Sequence, residues 1–147
     1  MLGHILHINV NVTDLERSVA FYESLGFTRT TDFALTAEQA ADTCAAFALP
    51  PTAFRGAILA LGTDANATFV DLIEWADRVE RKPAPVNATG PARIAISTPD
   101  AKVMLARLEA LDIPLLGPPC RMSADGEHFY VLFCVRDPDG TLLEFVG

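Results

Sequence analysis

The sequence predicts an α+β protein in which one small strand-helix-strands unit is used twice, and three internal echoes carry that prediction. Leu6-His7-Ile8-Asn9-Val10-Asn11-Val12-Thr13-Asp14 is answered by Ala92-Arg93-Ile94-Ala95-Ile96-Ser97-Thr98-Pro99-Asp100. Asp14 to Leu25 and Asp100 to Leu111 span equal distances, and an apolar residue, Phe27 or Ile113, follows two places on. Phe69-Val70-Asp71-Leu72 then matches Leu142-Leu143-Glu144-Phe145. Such a repeat implies one structural unit used twice, with matching positions meeting about a pseudo-twofold axis. His7, Asp71, Arg93 and Glu144 are the polar residues on those positions.

In the first strand, alternation sends Ile8, Val10 and Val12 to one face and His7, Asn9 and Asn11 to the other. Thr13-Asp14-Leu15-Glu16 predicts a capping box, with the Thr13 hydroxyl and Glu16 carboxylate each taking a free amide of a new helix. Leu15, Val19, Tyr22 and Leu25 form its apolar stripe, and Gly26 stops it. The first copy is longer than the second by 13 residues, the length of 37–49. That alanine-rich run after Thr36 predicts an added helix, ended by Pro50-Pro51. In the second copy Ile94 and Ile96 take the apolar face, leaving Arg93, Ala95 and Ser97 on a polar, small-sided face such as a cavity wall needs. Its helix is expected from Thr98-Pro99, with Ala101, Met104, Leu108 and Leu111 as the stripe. Asp137-Pro138-Asp139-Gly140 fits a type I turn and feeds a closing strand over 141–146. The expected order is strand, helix, three strands in each copy. We place module one at 1–76, a proline-bearing connector at 77–91 and module two at 92–147, all within a single domain.

A chain of 147 residues can bury about 70% of its unfolded surface without disulfides. Cys44, Cys120 and Cys134 are odd in number and lack zinc-type spacing, which suits a reducing, cytoplasmic setting. The N-terminus lacks the pattern of a secretory signal, and no apolar run approaches the roughly 20 residues of a membrane span. A net charge of −8 repels phosphate backbones and anionic lipid, and the mixed-sign stretch Arg78, Glu80, Arg81 and Lys82 does not offset it. Small molecules are therefore the expected partners, not nucleic acid or membranes.

The doubled order, His7 seven residues before a helix-opening aspartate, and the Asp137-Pro138-Asp139-Gly140 turn before a glutamate-bearing last strand together resemble the vicinal oxygen chelate superfamily over nearly the whole chain. That family includes glyoxalase I, methylmalonyl-CoA epimerase, fosfomycin-modifying enzymes, extradiol dioxygenases and bleomycin-binding resistance proteins. The resemblance implies paired βαβββ modules forming a cupped mixed β-sheet with helices outside, often in a homodimer. It does not fix the reaction. In metal-dependent members, inward positions on the first and last strand of each module hold a divalent cation. Carried over, those positions are His7, Asp71, Arg93 and Glu144. His7, Asp71 and Glu144 suit a zinc, nickel or manganese ion, but Arg93 stays protonated and has no lone pair to give.

Two readings of Arg93 follow. It either supplies the positive charge itself between Asp71 and Glu144, leaving a metal-free polar pocket, or swings aside while His7, Asp71 and Glu144 hold a metal. The first is favoured, because a fixed cation near a divalent ion is costly. Redox iron is disfavoured, since the extradiol arrangement would need histidine at 93. A histidine in an apolar strand is usually a hydrogen-bonded core residue, and strand carboxylates usually face solvent; the symmetry of these four positions favours a site. Asn9, Asn11, Phe54, Trp75, Phe129, His128 and Tyr130 are the candidate ligand-lining residues, each with a plain core or loop reading beside it. Glu74 falls on the face opposite Asp71. His4 and the cysteines are expected to have no chemical role, with Cys134 a small buried hydrophobe. Two functions result. One is a non-redox isomerase or lyase in which Glu144 or Asp71 is the base and Arg93 or a metal stabilises an enolate. The other is a metal-free protein that sequesters a drug-like ligand, as bleomycin-resistance proteins do.

Overall fold

Strand alternation and two capped helices build each repeat into one four-stranded mixed sheet with a helix after its first strand. The computed structural model describes residues 5–63, 67–80, 82–90, 92–123 and 125–147. The expectations placed on His4, Arg81 and Pro91 lie outside these residues. Contacts divide the chain into two units, 1–81 and 82–147, so the division falls inside the expected connector.

The first unit contains β1 (Ile8–Asn11), α1 (Leu15–Leu25), β2 (Thr28–Leu35), α2 (Ala41–Ala46), β3 (Phe54–Leu61) and β4 (Thr68–Trp75). Its sheet order is β1-β4-β3-β2, with β1 parallel to β4 and the other pairs antiparallel. Val10, Val12, Leu59, Val70 and Leu72 are buried, as is the whole α1 stripe of Leu15, Val19, Tyr22 and Leu25. Each such side chain contributes about 1.5–3 kcal/mol by leaving water. Tyr22 meets Phe27 edge-on at 5.3 Å, just past the Gly26 stop, where φ is 108°.

The second unit repeats the plan with β5 (Arg93–Ser97), α3 (Ala101–Ala110), β6 (Cys120–Met122), β7 (Tyr130–Arg136) and β8 (Leu142–Val146), in the order β5-β8-β7-β6. Its core holds Ile94, Met104, Leu108, Phe133, Val135, Leu143 and Phe145, with Phe133 and Phe145 stacked at 5.4 Å. The Asp137 turn forms as expected, closed by Gly140 N–H on the Asp137 carbonyl at 3.0 Å.

Local details correct the sequence reading. The cap of α1 is Asp14, whose carboxylate accepts from Arg17 N–H; Thr13 instead receives the Arg17 guanidinium, and Glu16 pairs with Arg29. The cap of α3 is likewise Asp100, not Thr98, so Pro99 precedes the helix. An ionised aspartate both accepts amides and complements the helix dipole, which favours it over the neighbouring threonine. Leu111 is no part of the buried stripe: it ends α3 and stays exposed. The added helix covers only Ala41–Ala46, preceded by a turn in which Thr36 and Gln39 exchange side-chain and backbone hydrogen bonds. Ala48, with φ 56°, ends it before the prolines are reached.

Candidate functional site

Each sheet presents one face whose residues follow from register. In the first unit, Asn9 lies opposite Asp71 and Asn11 opposite Ile73, while Ile58 pairs Asp71 and Gly56 pairs Ile73 from β3. Alternation places His7, Asn9, Asn11, Asp71 and Trp75 on this face together. Glu74 points the other way, accepting from Leu15 N–H at 2.8 Å and from Arg55. Burial pushes Glu74 up, but those donors outweigh it and hold its carboxyl below the usual range.

Asp71 is in the opposite condition. It is buried, and its Oδ1 has no hydrogen-bond partner among the described residues. Desolvation raises its pKa, with the His7 charge pulling weakly the other way. Buried Asp137 shows how a structural carboxylate is normally treated: its Oδ1 accepts from Asp139 and Thr141 N–H at 3.0 and 2.7 Å. A buried polar atom left unpaired costs about 1–3 kcal/mol, so Asp71 is retained against stability.

Further along the same face, Trp75 donates its indole N–H to Asn11 Oδ1 at 2.9 Å. Its ring lies 4.6 Å from Phe54 and 6.4 Å from Phe47, and Phe33 meets Phe54 at 6.2 Å. Phe33 rests over Gly56, where a Cβ would collide with the Phe33 ring and the Leu72 carbonyl. Sequence reasoning missed Phe33 and Phe47. The alternation Thr31, Phe33, Leu35 in β2 could have found the first; Phe47 lies past the inserted helix, where no strand period speaks.

In the second unit, Arg93 lies opposite Leu142 and Ala95 opposite Glu144, with Cys134 pairing Glu144 from β7. Arg93 Nε stands 3.1 Å from Glu144 Oε2, the arginine half-exposed and the glutamate mostly covered. Cys134 therefore shares the Glu144 face; burial and then the Glu144 charge push its thiol up. His128 and Tyr130 are exposed, as is Phe129, whose ring carries the Arg121 guanidinium 3.9 Å above it. His128 Nδ1 is 2.6 Å from Asp125 in a turn that the Asp125 carboxylate also organises through Glu127 and His128 N–H. A groove of about 580 Å³ beside α3, lined by Lys102, Leu105, Glu109, Ile113 and Leu115 among others, contains none of the candidate catalytic, metal or ligand-lining residues.

These side chains do not fit the divalent-metal centre of the metal-dependent relatives. Arg93 stands where a lone pair is required, and its charge is directed at Glu144, which would have to be a ligand. Among the described residues, no three His, Cys, Asp or Glu side chains gather into a group able to hold a metal ion.

Two four-stranded mixed sheets, each built strand-helix-strands, define the class of doubled βαβββ proteins. The chain matches the model of the glyoxalase/bleomycin resistance protein/dioxygenase superfamily over residues 4–145, and it belongs to that superfamily. A glyoxalase family protein from Bacillus cereus superposes with a TM-score of 0.82 at 19% identity, over 99% of this chain and 94% of that one. The trypanothione-dependent glyoxalase I of Leishmania major gives 0.67 at 22%, over 99% and 87%. A glyoxalase/dioxygenase from Nostoc punctiforme gives 0.63 at 19%, over 97% and 89%. These likenesses show the fold. No curated protein matches the chain. No helix among the described residues is long and apolar enough to cross a membrane.

Proposed function

We propose that this protein catalyses proton transfer on a carbonyl-containing small molecule, in the manner of an isomerase or lyase, with Asp71 as the group that takes and returns the proton. The observation that carries this reading is the unpartnered, buried Oδ1 of Asp71, whose pKa is raised by desolvation. A base acts best when its pKa approaches the working pH and its lone pair is uncommitted. Glu144 is the less available group, because its Oε2 is already engaged by Arg93 Nε at 3.1 Å. Asn9, opposite Asp71 in the register, is placed to donate its amide to a ligand oxygen on that face. His7 adds a second donor or acceptor beside it.

The test is solvent exchange. Wild-type protein in deuterium oxide should exchange the α-protons of simple ketones faster than the buffer does, followed by proton NMR. Asp71→Asn should lower that rate by about 10²–10⁴-fold; an unchanged rate in the variant would end the assignment.

A second reading, metal-free sequestration of a drug-like ligand, is favoured by the aromatic rings around Trp75. It predicts stoichiometric binding without exchange. On either reading we expect a cytoplasmic homodimer that binds small molecules; sedimentation showing only monomer at high concentration would count against the dimer.

A further inference from the structure

We infer that the inserted segment 36–49 and Trp75 form a subsite for an uncharged aryl group, so that the substrate class is aryl-bearing ketones or aldehydes. This deepens the proton-transfer reading and rests on it for the carbonyl end. Three observations lead there. Phe47, Trp75, Phe54 and Phe33 make a continuous chain of ring contacts on the Asp71 face. Asn11 satisfies the indole N–H internally, so the ring has no polar demand left to make of a ligand and offers its π-surface. Phe47 comes from the segment that the second unit lacks, and it stays 59% exposed although it touches Trp75.

The occupant is a small molecule for reasons of size and charge. Four partly covered rings offer about 300 Å², taking 150–250 Å² for a whole aromatic side chain. A stable protein interface needs about 800 Å² on each side. Asp71 and Trp75 are four residues apart on one strand, hence about 13 Å along a common face. A ligand with a ring at one end and a carbonyl at the other matches that span. The acidic chain disfavours an anionic ligand, and no cation is needed to hold a neutral one.

Affinities would be measured by saturation-transfer NMR for two matched probe pairs whose aryl members are long enough to reach from Trp75 to Asp71, 6-phenyl-2-hexanone against 2-hexanone and 8-phenyl-2-octanone against 2-octanone. Trp75, the single tryptophan, provides an independent fluorescence signal. Each aryl probe should bind at least tenfold more tightly than its alkyl partner. Phe47→Ala, at an exposed position, should reduce aryl binding about fivefold while leaving alkyl binding unchanged, and Asn11→Ala should also reduce aryl binding by loosening the indole. Equal affinities within both pairs, or aryl binding indifferent to both variants, would overturn the subsite. So would a Phe47→Ala variant that shifts sedimentation from dimer to monomer, since the rings would then serve contact between copies. Ring preference without α-proton exchange would retain the subsite and remove the proton-transfer reading. Asp71-dependent exchange without ring preference would do the reverse.

Discussion

The two units treat a carboxylate at matching sheet positions in opposite ways. Asp71 and Glu144 occupy matching places on β4 and β8, each beside a strand that runs parallel to its own. Glu144 is neutralised by Arg93 at 3.1 Å, whereas Asp71 is buried with an oxygen unpaired. The two units share one backbone plan, and their side chains divide the labour. The paired carboxylate behaves as a fixed structural charge; the unpaired one keeps a lone pair for chemistry. A second difference accompanies the first. Gly56 lies opposite Ile73 in the first sheet, while Leu132 lies opposite Val146 in the second. The first sheet thereby makes room for Phe33, and with it the aromatic cluster.

Breaking that room should have the largest effect on stability. Gly56→Ala drives a Cβ into both the Phe33 ring and the Leu72 backbone carbonyl, and only the ring can move cheaply. We expect a loss of about 1–3 kcal/mol in urea unfolding, the range of an overpacked core. Leu132→Ala in the second unit should cost less than a fully buried leucine would, because Leu132 is only partly covered.

The pH dependence of stability sharpens the carboxylate contrast. Asp71 has a raised pKa in the fold, so between the ordinary aspartate value of 3.8 and that raised value the native state holds more protons than the unfolded chain. Stability contributed by this residue therefore falls as pH rises through that window and stays reduced above it. Asp71→Asn should remove this slope and leave the protein more stable at neutral pH, because a neutral amide costs less to bury than an ionised carboxylate. Chemical denaturation of both proteins from pH 3 to 8 measures it, and parallel curves would show that Asp71 is not desolvated as described.

A smaller effect is expected where the carboxylate is paired. Arg93→Gln leaves Glu144 without its cation, and full burial would make this cost 3–5 kcal/mol. Arg93 is half-exposed, so solvent screens the pair and about 1 kcal/mol is expected. A double-mutant cycle with Glu144→Gln isolates the coupling.

The repeat makes most of the fold legible in the sequence. His7, Asn9 and Asn11 against Ile8, Val10 and Val12 assigned both faces of the first strand, and Asp71 with Glu74 followed from the same period of two. From the sequence, Arg93 is expected between Asp71 and Glu144; the pair with Glu144, at 3.1 Å, joins neighbouring parallel strands of one sheet. The rest was hidden for physical reasons. Two adjacent capping residues, Thr13 and Asp14, each satisfy the N-cap preference, so only geometry chooses between them. The inserted segment has composition without periodicity, so the end of its helix at Ala46 and the contact of Phe47 with Trp75 are tertiary facts.

The smallest prediction uses the helix ends, where the repeat is most faithful in backbone and least in sequence. Phe27 N–H bonds the Tyr22 carbonyl and Ile113 N–H bonds the Leu108 carbonyl, so both helices close with the same six-residue loop. The residue that turns the chain is Gly26 in the first unit and Asp112 in the second, with φ of 108° and 54°. A left-handed conformation costs an L-residue about 1–2 kcal/mol, somewhat less for aspartate, and costs glycine nothing. Glycine returns part of this advantage through a more flexible unfolded chain, worth about 0.4–1 kcal/mol. Asp112→Gly should therefore stabilise the protein by about 0.5 kcal/mol, whereas Gly26→Asp should destabilise it by a similar amount. Both would be read as shifts in the urea midpoint at constant slope. A stabilising Gly26→Asp would mean that the two helix ends are not equivalent, and that the repeat stops short of the loops.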